Sequence, residues 1–516
     1  MPAAPPHIIH TEDGRLSNAR PGATTSPEAV RTLIAQALTA NEPTLVLHFH
    51  GGLVNQASGR QIAARLATVY EAAGRYPIFF VWEAGLIESI QNNLRDILKD
   101  KLFQQGVKKL TRWLLKQLPA AAGLRGAGGV VDVAALESEY DRWFAGTRQS
   151  LPSALHPATG VKPTLRSAQE PADEVQLATE IQVELEFDLE FKTQMQEIHD
   201  SITPAQLANP AQKESGIGAI VSPVSEIAPA QVDQAFNVSP QARGVFSLAK
   251  LAIFLAKTLH RVVARFRAGR DHGVYTTIVE ELLAGLYVDK IGGVIWRQMK
   301  KDTIDAFDDP AFCAGAALVR EITTQQAQSG KRFRRIVLIG HSTGAVFISN
   351  FLDHAAPLLP DAQFDVIFLA PAVSYQRLQR TLGVHGPRIA NVRRFGMQDE
   401  TEANDVLVPI IYPRSLLYFV SGLLESTEDD YPLRLPDMPL VGMQRFSTLA
   451  DVFTPAEFPE IEGVEQFLGG YTRHSVWSIT DPGGLDGNRS SSQKHGDFDN
   501  DEATVTSLKY ILDHGY

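Results

Sequence analysis

The segment Gly340-His341-Ser342-Thr343-Gly344 constrains this chain more than any other. It follows directly on the apolar run Ile336-Val337-Leu338-Ile339, and residues 345–354 after it carry a helical pattern. A serine flanked at two removes by glycines at such a junction predicts a sharp strand-to-helix turn. The glycines let neighbouring backbones pass close, and the serine is held in a strained conformation that lifts its hydroxyl above the strand end. The helix that starts there aims backbone N–H groups and a positive dipole end at any negative charge that develops nearby.

The flanking sequence has an α/β rhythm. Residues 1–27, rich in Pro, Ala, Thr and Ser, read as a loose arm, and Ser26-Pro27 opens a helix to about Leu38. Thr44–Phe49 is a short apolar run of buried-parallel-strand type, ending at His50-Gly51-Gly52. A helical stretch over 59–73 and the apolar run 77–82 complete a βαβ unit. After the serine turn, residues 364–370 and 391–397 predict further strands, and residues 415–425 and 504–512 predict helices. The expected division is an arm and helix (1–40), a first core part (41–90), a mainly helical insertion (91–330) and a second core part (331–516).

The insertion is uneven in charge. Residues 101–129 hold six basic residues and no acid, and residues 243–270 hold seven and no acid. In the second stretch Leu248, Leu251, Leu255, Leu259, Val262 and Phe266 fall at helical spacing, while Lys250, Lys257, Arg261 and Arg265 group elsewhere on the wheel. One reading is a basic amphipathic helix that touches a membrane surface or a partner protein. The other is a helix packed on the body with a solvated basic face. Residues 180–191 alternate strictly between polar and apolar, which predicts a half-buried strand with an acidic outer face. Residues 203–242 read as a long loop or linker.

The serine turn and its setting resemble the α/β-hydrolase family in its lipase and esterase branch, over residues 41–90 and 331–516. That resemblance implies an α/β-hydrolase fold with a mostly parallel central sheet, the insertion serving as a cap before the nucleophile strand. It implies Ser342 as nucleophile, followed in chain order by an acid and a histidine. His48-Phe49-His50-Gly51-Gly52-Leu53 is similar to the family's His-Gly-Gly motif. By that likeness Gly51, Gly52 and Leu53 supply one side of an oxyanion hole, and Thr343 the other. His495, in a polar loop before the last helix, is the expected base, with His474 and His514 as rivals. Asp405, just before Val408-Pro409, is the expected acid, with Asp399, three residues after Gly396, as the alternative.

The implied chemistry is hydrolysis of a carboxylic ester through an acyl-enzyme, hydrophobic or lipid-like if the insertion shapes an acyl pocket. Acyl transfer or amide cleavage on the same residues, or a non-catalytic scaffold role, are the competing classes. No metal or organic cofactor is expected: there is no G-x-G-x-x-G at a strand end, no P-loop and no H-E-x-x-H. A formal net charge of -11 argues against a nucleic-acid partner. Cys313 is the single cysteine, the N-terminus lacks a basic-then-apolar leader, and no apolar run reaches 18 residues. A cytoplasmic chain is expected, with peripheral membrane association left open.

Overall fold

The computed structural model describes residues 7–17, 24–40, 43–52, 54–82, 86–117, 133–146, 173–189, 191–193, 248–287, 293–425 and 437–516. The expected linker at 203–242 and part of the basic stretch 101–129 lie outside them. The described residues form two compact units. One comprises Met1–Ser89, Val294–Asp405 and Ser415–Tyr516; the other comprises Ile90–Gly293 and Val406–Arg414. Residues 294–330, expected in the insertion, thus belong with the sheet. Helix Ala314–Ser329 packs there on helix Pro27–Ala37, and both bury apolar residues, among them Leu318 and Ile322 of the first and Val30 and Ile34 of the second.

The first unit is an α/β structure around an eight-stranded sheet. Its strands are β1 (Ile8–Glu12), β2 (Arg15–Leu16), β3 (Thr44–Phe49), β4 (Tyr76–Trp82), β5 (Arg335–His341), β6 (Gln363–Leu369), β7 (Ile389–Met397) and β8 (Ser475–Ser478). Their order is β2-β1-β4-β3-β5-β6-β7-β8, and every pairing is parallel except β1 with β2. Parallel strands with helices on both faces bury both sides, which is why β3 to β6 read as near-continuous apolar runs. Val46, Val337, Ile339 and Ile367 share one buried cluster with Leu66, Tyr70, Leu508 and Ile511. Elsewhere Phe49 of β3 stacks at 4.5 Å on Phe347 of helix Gly344–Leu358, a helix buried over most of its length. The strand that carries the serine turn, β5, lies between β3 and β6 in the middle of the sheet.

The N-terminal arm is a correction. Residues 8–12 are not loose: Ile8 pairs with Phe79 and Ile9 with Phe80, and both isoleucines are buried. The Pro- and Ser-rich surroundings hid a five-residue strand. Residues 180–191 are a second correction. They fall mainly in helix Glu174–Phe187, N-capped by Asp173, which accepts from Val175 N. Leu177, Ala178, Ile181 and Leu185 form its buried stripe, while Phe187 is 83% exposed. Leu177, Ile181 and Leu185 follow at intervals of four, so the helix buries Ile181 and Leu185 of the alternation and leaves Val183 and Phe187 to solvent, while Phe191 beyond its end is buried.

In the second unit the basic stretches meet acids. From helix Lys101–Gln117, Lys109 pairs with Asp188 at 2.6 Å and Arg112 with Glu184 at 3.0 Å. From helix Leu248–Ala268, Lys257 pairs with Glu174, Arg261 with Glu281, and the buried Arg265 with Glu280 and Glu281. The apolar face expected of that helix is buried at Leu251, Leu255, Leu259, Val262 and Phe266. No described helix is long and apolar enough to cross a membrane.

Replacing Ile9 by Ala is expected to cost about 2–4 kcal/mol, the range for deleting a buried aliphatic side chain. The shift of the urea midpoint at constant slope checks it; a loose arm would give none.

Candidate functional site

The serine turn is built as the glycines require. Strand β5 ends at His341, Ser342 has φ 52°, Thr343 is helical, and the helix begins at Gly344. A Cβ on Gly340 would stand 2.7 Å from the Gly344 carbonyl, and one on Gly344 only 2.2 Å from the Phe49 oxygen. Any larger residue at either position would force the strands and helix apart. The left-handed conformation of Ser342 costs ~1–3 kcal/mol and persists because its surroundings fix it. Ser342 N donates to Leu369 O at 2.9 Å, and Ala372 N donates to Ser342 O at 3.0 Å, tying the turn to the end of β6.

His495 meets this serine. Its Nε2 lies 2.8 Å from Ser342 Oγ, and both residues are buried, Ser342 at 3% and His495 at 5% exposure. It opens a short 3-10 turn, His495–Asp497, before helix Glu502–His514. Burial, together with the neighbouring His341, lowers the His495 pKa to about 3, against an opposing pull from Asp499. The imidazole is therefore neutral near pH 7, and Nε2 can accept the serine proton.

Of the two carboxylates expected as alternatives, Asp405 is the one joined to His495. Its Oδ2 accepts the His495 backbone N–H at 2.8 Å. The contact is to the main chain; His495 Nδ1 is buried without a partner among the described residues. Burial raises the Asp405 pKa, partly offset by that N–H and by Lys494. Asp399 faces other groups: its Oδ1 accepts from Tyr418 OH at 2.7 Å and its N–H donates to Gln444. The rival histidines are also engaged elsewhere. His474 Nδ1 is 3.2 Å from Tyr471 O, and His514 stacks on Tyr510 in the last turn of the final helix.

On the other side of Ser342 runs the His-Gly-Gly segment after β3. A Cβ on Gly51 would lie 3.2 Å from Ser342 Cβ, and one on Gly52 would lie 2.5 Å from Met299 Sδ and 2.9 Å from Thr343 Oγ1. The backbone thus passes the serine so closely that a side chain at Gly51 would crowd Ser342 and one at Gly52 would displace Met299 or Thr343. Thr343 is the N-cap residue of helix Gly344–Leu358, where an N–H has no helical acceptor, and its Oγ1 is buried without a partner among the described residues. Leu53 lies outside the described residues. His50 sets the course of this segment: its Nδ1 donates to Gly51 O at 2.7 Å, its Nε2 accepts from Trp82 N at 3.2 Å, and its ring stacks on Trp82. These two bonds require the neutral ring, and burial lowers its pKa to about 4.

Two residues not singled out from the sequence sit against this site. His341, inside the serine motif, contacts both Asp499 and the His495 carbonyl. Met299 packs on Gly52. The signal for the first pair was present, since Asp499 follows His495 by four residues, but only the fold brings it to His341. Among the described residues no group of three or more His, Cys, Asp or Glu is arranged to hold a metal ion. Comparison with family models, with curated proteins and with solved structures gives no match.

Gly344→Ala is expected to destabilise the sheet unit by about 3 kcal/mol, the upper range for overpacking against backbone. Thermal unfolding of the variant checks this; an unchanged midpoint would mean that the helix and β3 approach less closely than described.

Proposed function

We propose that the protein is a serine hydrolase of the α/β-hydrolase type that cleaves carboxylic esters through an acyl-enzyme. One observation carries this reading: a serine in left-handed conformation at a central strand-to-helix turn, 2.8 Å from the Nε2 of a buried histidine. In this mechanism His495 removes the Ser342 proton as the oxygen attacks the carbonyl carbon. The resulting oxyanion is met by backbone N–H groups of Thr343 and of the segment at Gly51 and Gly52. His495 then protonates the leaving alcohol and, in the second half, activates the water that releases the acid. Asp405 is the acid of the set. Its Oδ2 accepts the His495 main-chain N–H and so holds the loop that carries the base. An apolar or lipid-like ester is the proposed substrate class.

Labelling with a fluorophosphonate, which reacts with activated serines, tests the reading. Wild type is expected to label, and Ser342→Ala and His495→Ala are not. Asp405→Ala, which removes the acceptor of the His495 N–H, is expected to slow labelling by on the order of 10²-fold, the scale of a small misplacement of reacting groups, whereas Asp399→Asn stays near wild type. Equal loss in both aspartate variants would remove Asp405 from the assignment, and an unlabelled wild type would remove the hydrolase reading itself.

A further inference from the structure

We propose that His341 and Asp499 form a buried positioning pair that clamps the His495 loop to the serine turn, an inference that rests on the reading of Ser342 and His495 as nucleophile and base. His341 Nδ1 is 3.2 Å from Asp499 Oδ2, and His341 Nε2 is 2.8 Å from the His495 carbonyl oxygen. One imidazole therefore joins three points: the residue before the nucleophile, the main chain of the base, and the loop four residues beyond it. All of these groups are buried, with Asp499 wholly excluded from solvent.

Both partners of the His341 ring are acceptors. A neutral imidazole has one N–H and satisfies one of them; the ring donates to both only as the imidazolium. The geometry thus calls for a cation at His341 against an anion at Asp499. The surrounding charges agree. Burial works against a charged His341, but Asp499, the His495 carbonyl and Asp497 outweigh it and the net shift is upward. Burial likewise opposes a charged Asp499, and His341, by charge and by hydrogen bond and with smaller help from Arg65, brings it below the usual carboxylate range. From β3 and the segment after it, His48 and His50 face the pair as neutral rings, burial lowering them to about 3 and about 4. From helix Gln56–Ala72, Arg65 donates to the Asp499 backbone carbonyl, and Tyr70 OH bonds His48 Nδ1 at 3.0 Å. Asp499 Oδ1 takes no partner among the described residues, so the carboxylate is committed to His341.

Two effects on His495 follow. The bond to its carbonyl fixes where the ring stands relative to Ser342 Oγ. The cation beside it disfavours its protonation and keeps it in the form that accepts a proton. A residue that only held the fold together would do the first without the second, and this separates the two in experiment.

The test is the second-order rate of fluorophosphonate labelling as a function of pH for wild type, His341→Ala, His341→Gln and Asp499→Asn, with the melting temperature of each. His341→Ala is expected to label up to about 100-fold more slowly at pH 8, the scale of a small misplacement of reacting groups. His341→Gln keeps an amide donor for the His495 carbonyl and is expected to recover most of that rate. It has lost the cation, so its acidic limb, where labelling falls as His495 takes up a proton, moves to higher pH than in wild type. Asp499→Asn lets His341 become neutral and shifts the limb the same way, by less. If wild type labels and the variants lose rate only with melting temperature, their acidic limbs unmoved, the pair is a fold element and the inference is wrong. An unlabelled wild type would instead overturn the hydrolase reading, and the inference with it.

Discussion

The approach of Gly344 to the Phe49 carbonyl is the contact on which the rest of the site depends. At that point the helix that follows β5 packs directly on the end of β3, with no room for a single methyl group. The close contact forces the chain between β5 and the helix into a turn so tight that Ser342 takes a left-handed conformation. It also brings the Gly51-Gly52 segment, which continues β3, against the serine from the other side. Hydrogen bonds from both sides of Ser342 to the end of β6 complete the frame. The strain at one residue is thereby held by three strands of the sheet at once.

Most of this was legible in the sequence because the forces involved are local. The apolar runs of β3, β4, β5 and β6 are long enough to be buried on both faces, and glycines at 340 and 344 have few other reasons to flank a serine. His495 and Asp405 came from the resemblance and not from local forces; only the fold shows His495 beside Ser342 and Asp405 against the His495 main chain. What could not be read depends on partners distant in sequence. Ile8 and Ile9 become a strand because Phe79 and Phe80 offer an edge to pair with. Residues 180–191 alternate like a strand, yet Glu184 and Asp188 find Arg112 and Lys109 by way of a helix. His341 carries no local signal of its own, and its contact with Asp499, 158 residues away, emerges only in the fold.

The second unit shows how charge that looks one-sided in sequence is balanced in space. Glu280, fully buried, is met by Arg265 and His272, each at 2.7 Å, and accepts from Tyr412 OH. Tyr275 OH donates to Ile410 O at 2.7 Å, and Arg414 to His272 O. Residues 406–414, far along the chain, are thereby held among helices of residues 90–293. Buried ion pairs of this kind add little net stability, because desolvation offsets attraction, but removing one partner leaves an uncompensated charge and is costly. Their effect is to fix one arrangement of the segment against alternatives.

The burial of Ser342 and His495 has a kinetic consequence. With Ser342 exposing only 3% of its surface, a carbonyl carbon brought up from solvent has little access to its hydroxyl. On the proposed reading of Ser342 as nucleophile, the resting protein is thus a closed reagent, and its chemistry waits on excursions that uncover the oxygen. Motions of that kind run on microsecond to millisecond scales and frequently set the pace of turnover. Under this regime two esters of equal intrinsic reactivity would be consumed at rates set by the size of the opening each requires, so selectivity would reside in the amplitude of a fluctuation as much as in the shape of a pocket.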